Sequence, residues 1–270
     1  MLRAVLAAFV ALTGAGGLAA DPGPVALRTG NDARGWEGVG RLEIAGKGFC
    51  TATLIAPGLV LTAAHCLFER DSGAPVAVDR LEFRAGWRDG RAGAYRGVRR
   101  AVTHPAYVAD AGSETRVSRW DLALIELAQP IRSSEVRPFT IGHDVPVGTE
   151  VGVVSYARDR AEAPSLQQMC PVVAEDEGIL VLSCEVDFGS SGAPVFRLAD
   201  GVAEVVSVVS AKAELNGERV AVGMELAQPL AELRAALADT SFAATPPGAV
   251  RVIRPGERIE TGARFVRAAE

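Results

Sequence analysis

The stretch "GFCTATLIAPGLVLTAAHCLFE", Gly48 to Glu69, holds two short apolar runs around a Pro-Gly break, with cysteines at 50 and 66. Both runs are rich in Thr, Val, Ile and Leu and too short for ordinary helices, so they read as strands joined by a turn. Cys66 directly follows His65, which raises two chemistries, a metal site or a covalent staple beside a functional histidine. A zinc site needs closely spaced ligands. His65, His104 and His143 lie far apart and make no such spacing with the cysteines. The pair therefore reads as a staple, and neither a metal nor a cofactor is expected.

The same texture continues outward. "VGRLEIAG", "LALIEL", "VGVVSY", "GILVLSCEV", "APVFRL", "VAEVVSVVSA" and "RVAVGMEL" are short β-branched runs separated by Gly, Pro, Asn or Asp. That pattern predicts an all-β sandwich or barrel. "LNGE" at 215–218 is a hairpin signal, because Asn-Gly tolerates the positive φ angles of a type I′ turn. "QPLAELRAALAD" at 228–239 spaces its apolar residues helically behind a proline and predicts one short C-terminal helix. Residues 21–35 are polar and Gly/Pro-rich, as in a flexible lead-in. Residues 36–239 form the main domain, and 240–270 a tail with no assigned role.

A chain of 270 residues is long enough for one large all-β domain or two small ones. Its net charge of −5 argues against nucleic acid as a main partner, since neutralising phosphates takes a basic surface. Residues 1–20 have a basic start at Arg3, an apolar run from Ala4 to Leu12 and a small-residue end, the features of an export signal cleaved near Ala19 or Ala20. The run is short for a bilayer span and no later stretch is longer, so no stable membrane insertion is expected. Export to a periplasmic or extracellular space would let disulfides persist. Four cysteines allow three pairings. The sequence-local choice is Cys50–Cys66 with Cys170–Cys184, each closing a loop worth about 3 kcal/mol in the chain-entropy picture.

Three segments carry chemistry: "TAAHC" (Thr62 to Cys66), "DLALIEL" (Asp121 to Leu127) and "DFGSSGAP" (Asp187 to Pro194). A serine hydroxyl attacks an acyl carbon only when a base takes its proton. Imidazole, with an ordinary pKa of about 6.5, suits that task near neutral pH. A buried carboxylate must fix its tautomer, and backbone N–H groups must meet the developing oxyanion. His65, Asp121 and Ser191 supply these residue types, with the amides of Gly189 and Ser191 as the oxyanion hole.

These motifs resemble those of the chymotrypsin/trypsin family of secreted serine endopeptidases, and the order His, Asp, Ser is also that family's. "THPAY" (Thr103 to Tyr107) is similar to the family's segment before the acid, and "VVSA" (Val208 to Ala211) to its cleft-lining strand, with Ser210 near the triad acid. The resemblance, over about residues 36–238, implies a double β-barrel, a polypeptide substrate, an acyl-enzyme intermediate and a monomer. Ser190 stands where trypsin-like zymogens carry an aspartate, Ala193 replaces a glycine, and no basic-Ile-Val-Gly-Gly sequence precedes "VGRLEIAG". Activation through a freed N-terminus is therefore not expected. The histidine with which bacterial glutamyl endopeptidases bind acidic side chains in the cleft strand is replaced by Val209, so glutamyl specificity is not expected. Glu185, six residues before Ser191, falls where relatives bind basic side chains, and it is the expected substrate-binding acid unless it simply faces solvent. A catalytically silent binding protein on the same fold is the alternative function.

Overall fold

The computed structural model describes residues 23–109 and 118–239. The leader and tail assignments at 1–20 and 240–270 lie outside the described residues. After a two-residue strand β1 (Val25–Ala26), six strands follow: β2 (Val39–Ile44), β3 (Gly48–Ala56), β4 (Leu59–Thr62), β5 (Leu81–Ala85), β6 (Ala94–Thr103) and β7 (Ala123–Leu127). They close into a barrel in the order β2-β3-β4-β7-β6-β5. The second half holds β8 (Thr140–Ile141), β9 (Glu150–Ala157), β10 (Arg160–Asp176), β11 (Ile179–Leu182), β12 (Pro194–Ala199), β13 (Val202–Leu215) and β14 (Glu218–Glu225). Its sheet runs β10-β11-β14-β13-β12-β9, and β9 pairs back onto β10 to complete a second ring. Helix α1 (Ala227–Ala238) closes the chain. The fold is thus the all-β double barrel with one short helix.

The burial pattern explains why some strands are apolar throughout while others alternate. In β7 and the residue before it, Ala123, Ile125 and Leu127 enter the first barrel's core, whereas Leu122 and Leu124 face a separate cluster between the barrels. Both faces of that strand are covered, so "DLALIEL" carries almost no polar positions. The inter-barrel cluster also takes Tyr156, Phe196, Val208 and Met224 from the second half and Leu230 and Leu233 from α1. The second ring has its own core, including Val153, Leu180, Leu182 and Val195. By contrast, β5, "LEFRA", buries Leu81, Phe83 and Ala85 and turns Glu82 and Arg84 outward. Truncating a fully buried leucine such as Leu124 to alanine costs about 2–5 kcal/mol in cores of this kind.

The turn at 216–217 joins β13 to β14, with Asn216 at φ 54° and Gly217 at φ 86°. The lead-in departs from expectation. From Gly23 on it is held rather than flexible: β1 pairs with Leu166 and Ser165 of β10, and Leu27 is buried. Thr29 and Asp32 then cap one another's backbone N–H groups. A polar, Gly/Pro-rich composition hid a segment that adds an edge strand to the second sheet.

Candidate active site

The site forms where the ends of strands from both barrels meet. β4 ends at Thr62, and Ala64–Leu67 make a single 3-10 turn that carries His65. Cys50–Cys66 ties β3 to that turn. β7 pairs antiparallel with β4, Thr62 facing Ala123, so Asp121 sits just past the strand end beside His65. One Asp121 oxygen accepts the His65 backbone N–H at 2.8 Å, and the other accepts from His65 Nδ1 at 2.7 Å. A carboxylate only accepts, so Nδ1 carries the proton and Nε2 keeps its lone pair. Ser210 Oγ donates to the same carboxylate at 2.5 Å. Asp121 is 3% exposed, and three donors offset the cost of burying its charge. Burial alone would pull the His65 imidazole down. The Asp121 charge and its hydrogen bond outweigh that, so its pKa stands above the usual 6.5.

The serine turn is fixed peptide by peptide. Because a trans peptide is planar, its C=O and N–H point in opposite directions, and pinning one aims the other. Phe188 O accepts from Arg158 N–H at 2.8 Å, which aims Gly189 N–H the opposite way. Ser190 O accepts from Ala193 N–H at 2.9 Å, which does the same for Ser191 N–H. Neither amide donates a hydrogen bond among the described residues. The intervening peptide is held at both ends, Ser190 N–H donating to Asp187 O at 2.9 Å and Gly189 O accepting from Thr51 Oγ1 at 2.8 Å. Gly189 has φ +100°, where a side chain would be strained and its Cβ would lie 2.6 Å from the Phe49 ring.

Ser190, in the place of an aspartate, is 1% exposed, and its hydroxyl lies 3.2 Å from both Ser155 Oγ and Tyr156 O. It holds the turn from beneath with neutral hydrogen bonds. Gly192 meets the first barrel so closely that a Cβ there would clash with Thr62 Oγ1 and Thr51 O. Its N–H donates to Val209 O at 2.8 Å, next to Ser210. The histidine strand, the serine turn and the Ser210 strand are thereby interlocked.

Sequence reasoning missed Thr51, the hub of that interlock. Fully buried, it donates N–H to Ser191 O at 2.9 Å, accepts Tyr156 N–H at 3.1 Å on Oγ1, and receives Thr62 Oγ1 on its carbonyl at 2.9 Å. Its only sequence signal is its place beside Cys50. The Ser191 hydroxyl and the outer nitrogen of His65 are not hydrogen-bonded to one another, a contact that commonly tightens only when substrate binds. Cys50, His65 and Cys66 bring ligand-type atoms within 4.8 Å, but both sulfurs are in the disulfide and offer no thiolate. Cys170 and Cys184 form the second bridge. Glu185 stands apart from this network, half-exposed, 3.6 Å from Arg219. His143 is exposed in a loop. His104 is 2% exposed, stacked on Trp120 at 4.3 Å, and its N–H donates to Leu122 O, so it braces both neighbours of Asp121.

The trypsin family model matches residues 29–230. The chain belongs to the trypsin family. It is 26% identical over 172 residues to a glutamyl endopeptidase of Bacillus licheniformis, covering 63% of this chain and 52% of that protein. It is 32% identical over 113 residues to a trypsin of Phaedon cochleariae, 40% of either chain. The chain thus spans about half the length or less of these curated relatives. Among solved structures, a Glu endopeptidase in complex with MPD aligns with a TM-score of 0.66 at 20% identity, over 80% of this chain and 97% of that one. A thermostable serine protease from an extremophilic microorganism aligns with a TM-score of 0.60 at 17% identity, over 75% and 98%. Both share the double-barrel fold. Among the described residues no helix is long and apolar enough to cross a membrane.

Proposed function

We propose that this trypsin-family chain is an exported serine endopeptidase that works through an acyl-enzyme. Ser191 Oγ attacks the substrate carbonyl while His65 Nε2 takes its proton, and the carbonyl oxygen becomes the oxyanion. The N–H groups of Gly189 and Ser191 donate hydrogen bonds to that oxyanion, Asp121 stabilises the imidazolium, and His65 then protonates the departing amine. Water, deprotonated by His65, releases the acid and restores the serine. The observation that carries this reading is the pair of amides that donate to nothing among the described residues, on a turn whose carbonyls are satisfied, beside a carboxylate-held imidazole. Such donors, fixed before the charge develops, stabilise it without reorganisation and are each worth about 10²–10³ in rate.

Ser190 supports a turn competent without a buried N-terminal amine, because its hydroxyl supplies hydrogen bonds from within the second barrel. The two disulfides and the leader-like residues 1–20 support export. The test is turnover of a mixed peptide library by oxidised protein, with and without a chelator and with extra residues before Asp21. Expected is cleavage that survives both changes. Loss of activity in EDTA, restored by zinc or calcium, would overturn the metal-free mechanism. Activity that appeared only after a cut near Val39 would overturn the pre-formed turn.

A further inference from the structure

The register of the first barrel sets Arg41 of β2 opposite Thr51 of β3, with Phe49 further along the same face. Arg41 is only 8% exposed, an uncommon place for a guanidinium. Its Nη2 lies 2.5 Å from Glu43 Oε1 and its Nη1 3.6 Å from Glu162 Oε1. Nε has no hydrogen-bond partner among the described residues. Burying a charge with one donor unmet is costly, and an aliphatic side chain of similar length would avoid that cost. What the guanidinium joins is therefore informative.

Its central carbon lies 4.1 Å from the centroid of the Phe49 ring, and Nη1 donates to Ala161 O at 3.0 Å. These contacts belong to two walls that meet at Gly189. A Cβ on Gly189 would lie 2.6 Å from the Phe49 ring and 3.1 Å from Ala157 Cα, so the residue is packed into the corner between them. Phe49 comes from the first barrel, whereas Ala157 ends β9 and opens the hairpin into β10. The same hairpin supplies the Arg158 N–H that fixes Phe188 O and so aims Gly189 N–H. Ala161 lies on its returning arm, and Glu162 O, next along, accepts Asp89 N–H at 2.7 Å. Arg41 thus fastens the hairpin to the ring with one planar group that stacks and donates at once.

We infer that Arg41 is a positioning residue for the Gly189 amide, holding together the corner in which Gly189 sits, a role that rests on the endopeptidase reading above. Without the guanidinium, ring and hairpin can part, and the peptide bearing Gly189 N–H can tilt away from the oxyanion. The His65–Asp121 pair is held by bonds of its own and is left as it stands.

The experiment compares the full oxidised chain with Arg41→Met, Arg41→Lys, Phe49→Leu and a control, Arg84→Met. Arg84 shares the Trp87 ring and Glu43 with Arg41 but bonds to neither Phe49 nor the hairpin among the described residues. Each preparation is melted to confirm folding and labelled with a fluorophosphonate. Turnover is read on the best-cleaved peptide of a library, and binding on the corresponding peptide aldehyde and alcohol. Ser191 adds to the aldehyde and turns its oxygen into the oxyanion, whereas the alcohol binds without one.

Arg41→Met should lower kcat about ten- to a hundredfold with KM within about twofold. It should weaken the aldehyde in step and leave both alcohol binding and the acid limb of the pH profile unmoved. Phe49→Leu should do likewise, and Arg84→Met should keep the wild-type kcat. Folded Arg41→Met within about twofold of the wild-type kcat, or equal weakening of aldehyde and alcohol, overturns this assignment alone. An equal loss in Arg84→Met overturns it too, since the effect would then belong to the barrel face. If Arg41→Met does not fold, Arg41→Lys decides, because an ammonium keeps the charge but lacks the planar fork. A wild-type aldehyde-to-alcohol ratio there overturns the assignment. Wild-type protein that neither labels at Ser191 nor cleaves any peptide overturns the endopeptidase reading and this one with it.

Discussion

Asp121→Asn tests the electrostatic core of the site, because the structure fixes what an amide must do there. The carboxylate receives three hydrogens, from His65 N–H, His65 Nδ1 and Ser210 Oγ. An asparagine has one acceptor oxygen. If that oxygen keeps the His65 N–H, the NH₂ faces Nδ1, which must then accept, and the ring proton moves to Nε2. If it turns towards Nδ1, the NH₂ faces the His65 N–H and a buried donor is left unpaired, at about 1–3 kcal/mol. The first arrangement costs less and removes the proposed general base. The expected loss in kcat is about 10⁴-fold, the effect of the same exchange in a related triad, or about 5.5 kcal/mol on the barrier. The second signature is in the pH profile. In the wild type Asp121 holds the His65 pKa above 6.5, so the acid limb of kcat/KM should lie above that value. With the charge gone and burial remaining, the limb should move to lower pH. Peptide-ester hydrolysis between about pH 5 and 9 reads both. An Asp121→Asn protein within about tenfold of wild type, or a limb that rises, would refute this reasoning.

Thr51→Val keeps the shape of the hub but leaves Gly189 O and Tyr156 N–H without their Oγ1 partner. Urea denaturation should show a loss of about 1–3 kcal/mol, and kcat should fall more than KM changes. Gly192→Ala places a Cβ into Thr62 Oγ1 and Thr51 O at φ +79°, so the serine turn must shift. Its folded fraction or its kcat should collapse, and a fully active, fully stable variant would show the interlock to be loose. The two site-side histidines should pull stability in opposite directions with pH. His65, raised, contributes stability that is complete below pH 6.5 and lost as pH climbs through its higher value. Burial first, against the nearby Glu232 charge, leaves His104 lowered, so stability is lost as pH falls from 6.5 through its lower value. His104→Gln should remove that acid-side loss, as read by melting temperature between about pH 5 and 8.

The parts of this fold most legible in sequence were those buried on both faces or bound to chemistry. "LVLTAA" and "DLALIEL" are continuous apolar runs because barrel core and inter-barrel cluster cover their opposite sides. β5, β6 and β10 were harder to find. Each keeps one face in water, and β6, "AYRGVRRAVT", carries three arginines, two of which meet Glu126 on β7. The proposed triad was readable only from "TAAHC", "DLALIEL" and "DFGSSGAP" taken together and in order, since an aspartate at a strand start or a serine in a glycine-rich turn is by itself ordinary. Thr51 was not, because its role lies in hydrogen bonds between residues more than a hundred positions apart, and a threonine in a strand is otherwise ordinary. The held lead-in escaped for a related reason. Pairing of Val25–Ala26 with β10 depends on a partner edge about 140 residues away, not on local composition.

Mass-spectrometric mapping after fluorophosphonate treatment bears most directly on the catalytic assignment. Oxidised protein should carry one adduct on the peptide containing Ser191, and both the adduct and peptide cleavage should vanish in Ser191→Ala and in His65→Ala. Folded, doubly disulfide-bonded protein that takes no label at Ser191, or a Ser191→Ala variant that still turns over peptides at the wild-type rate, would contradict it.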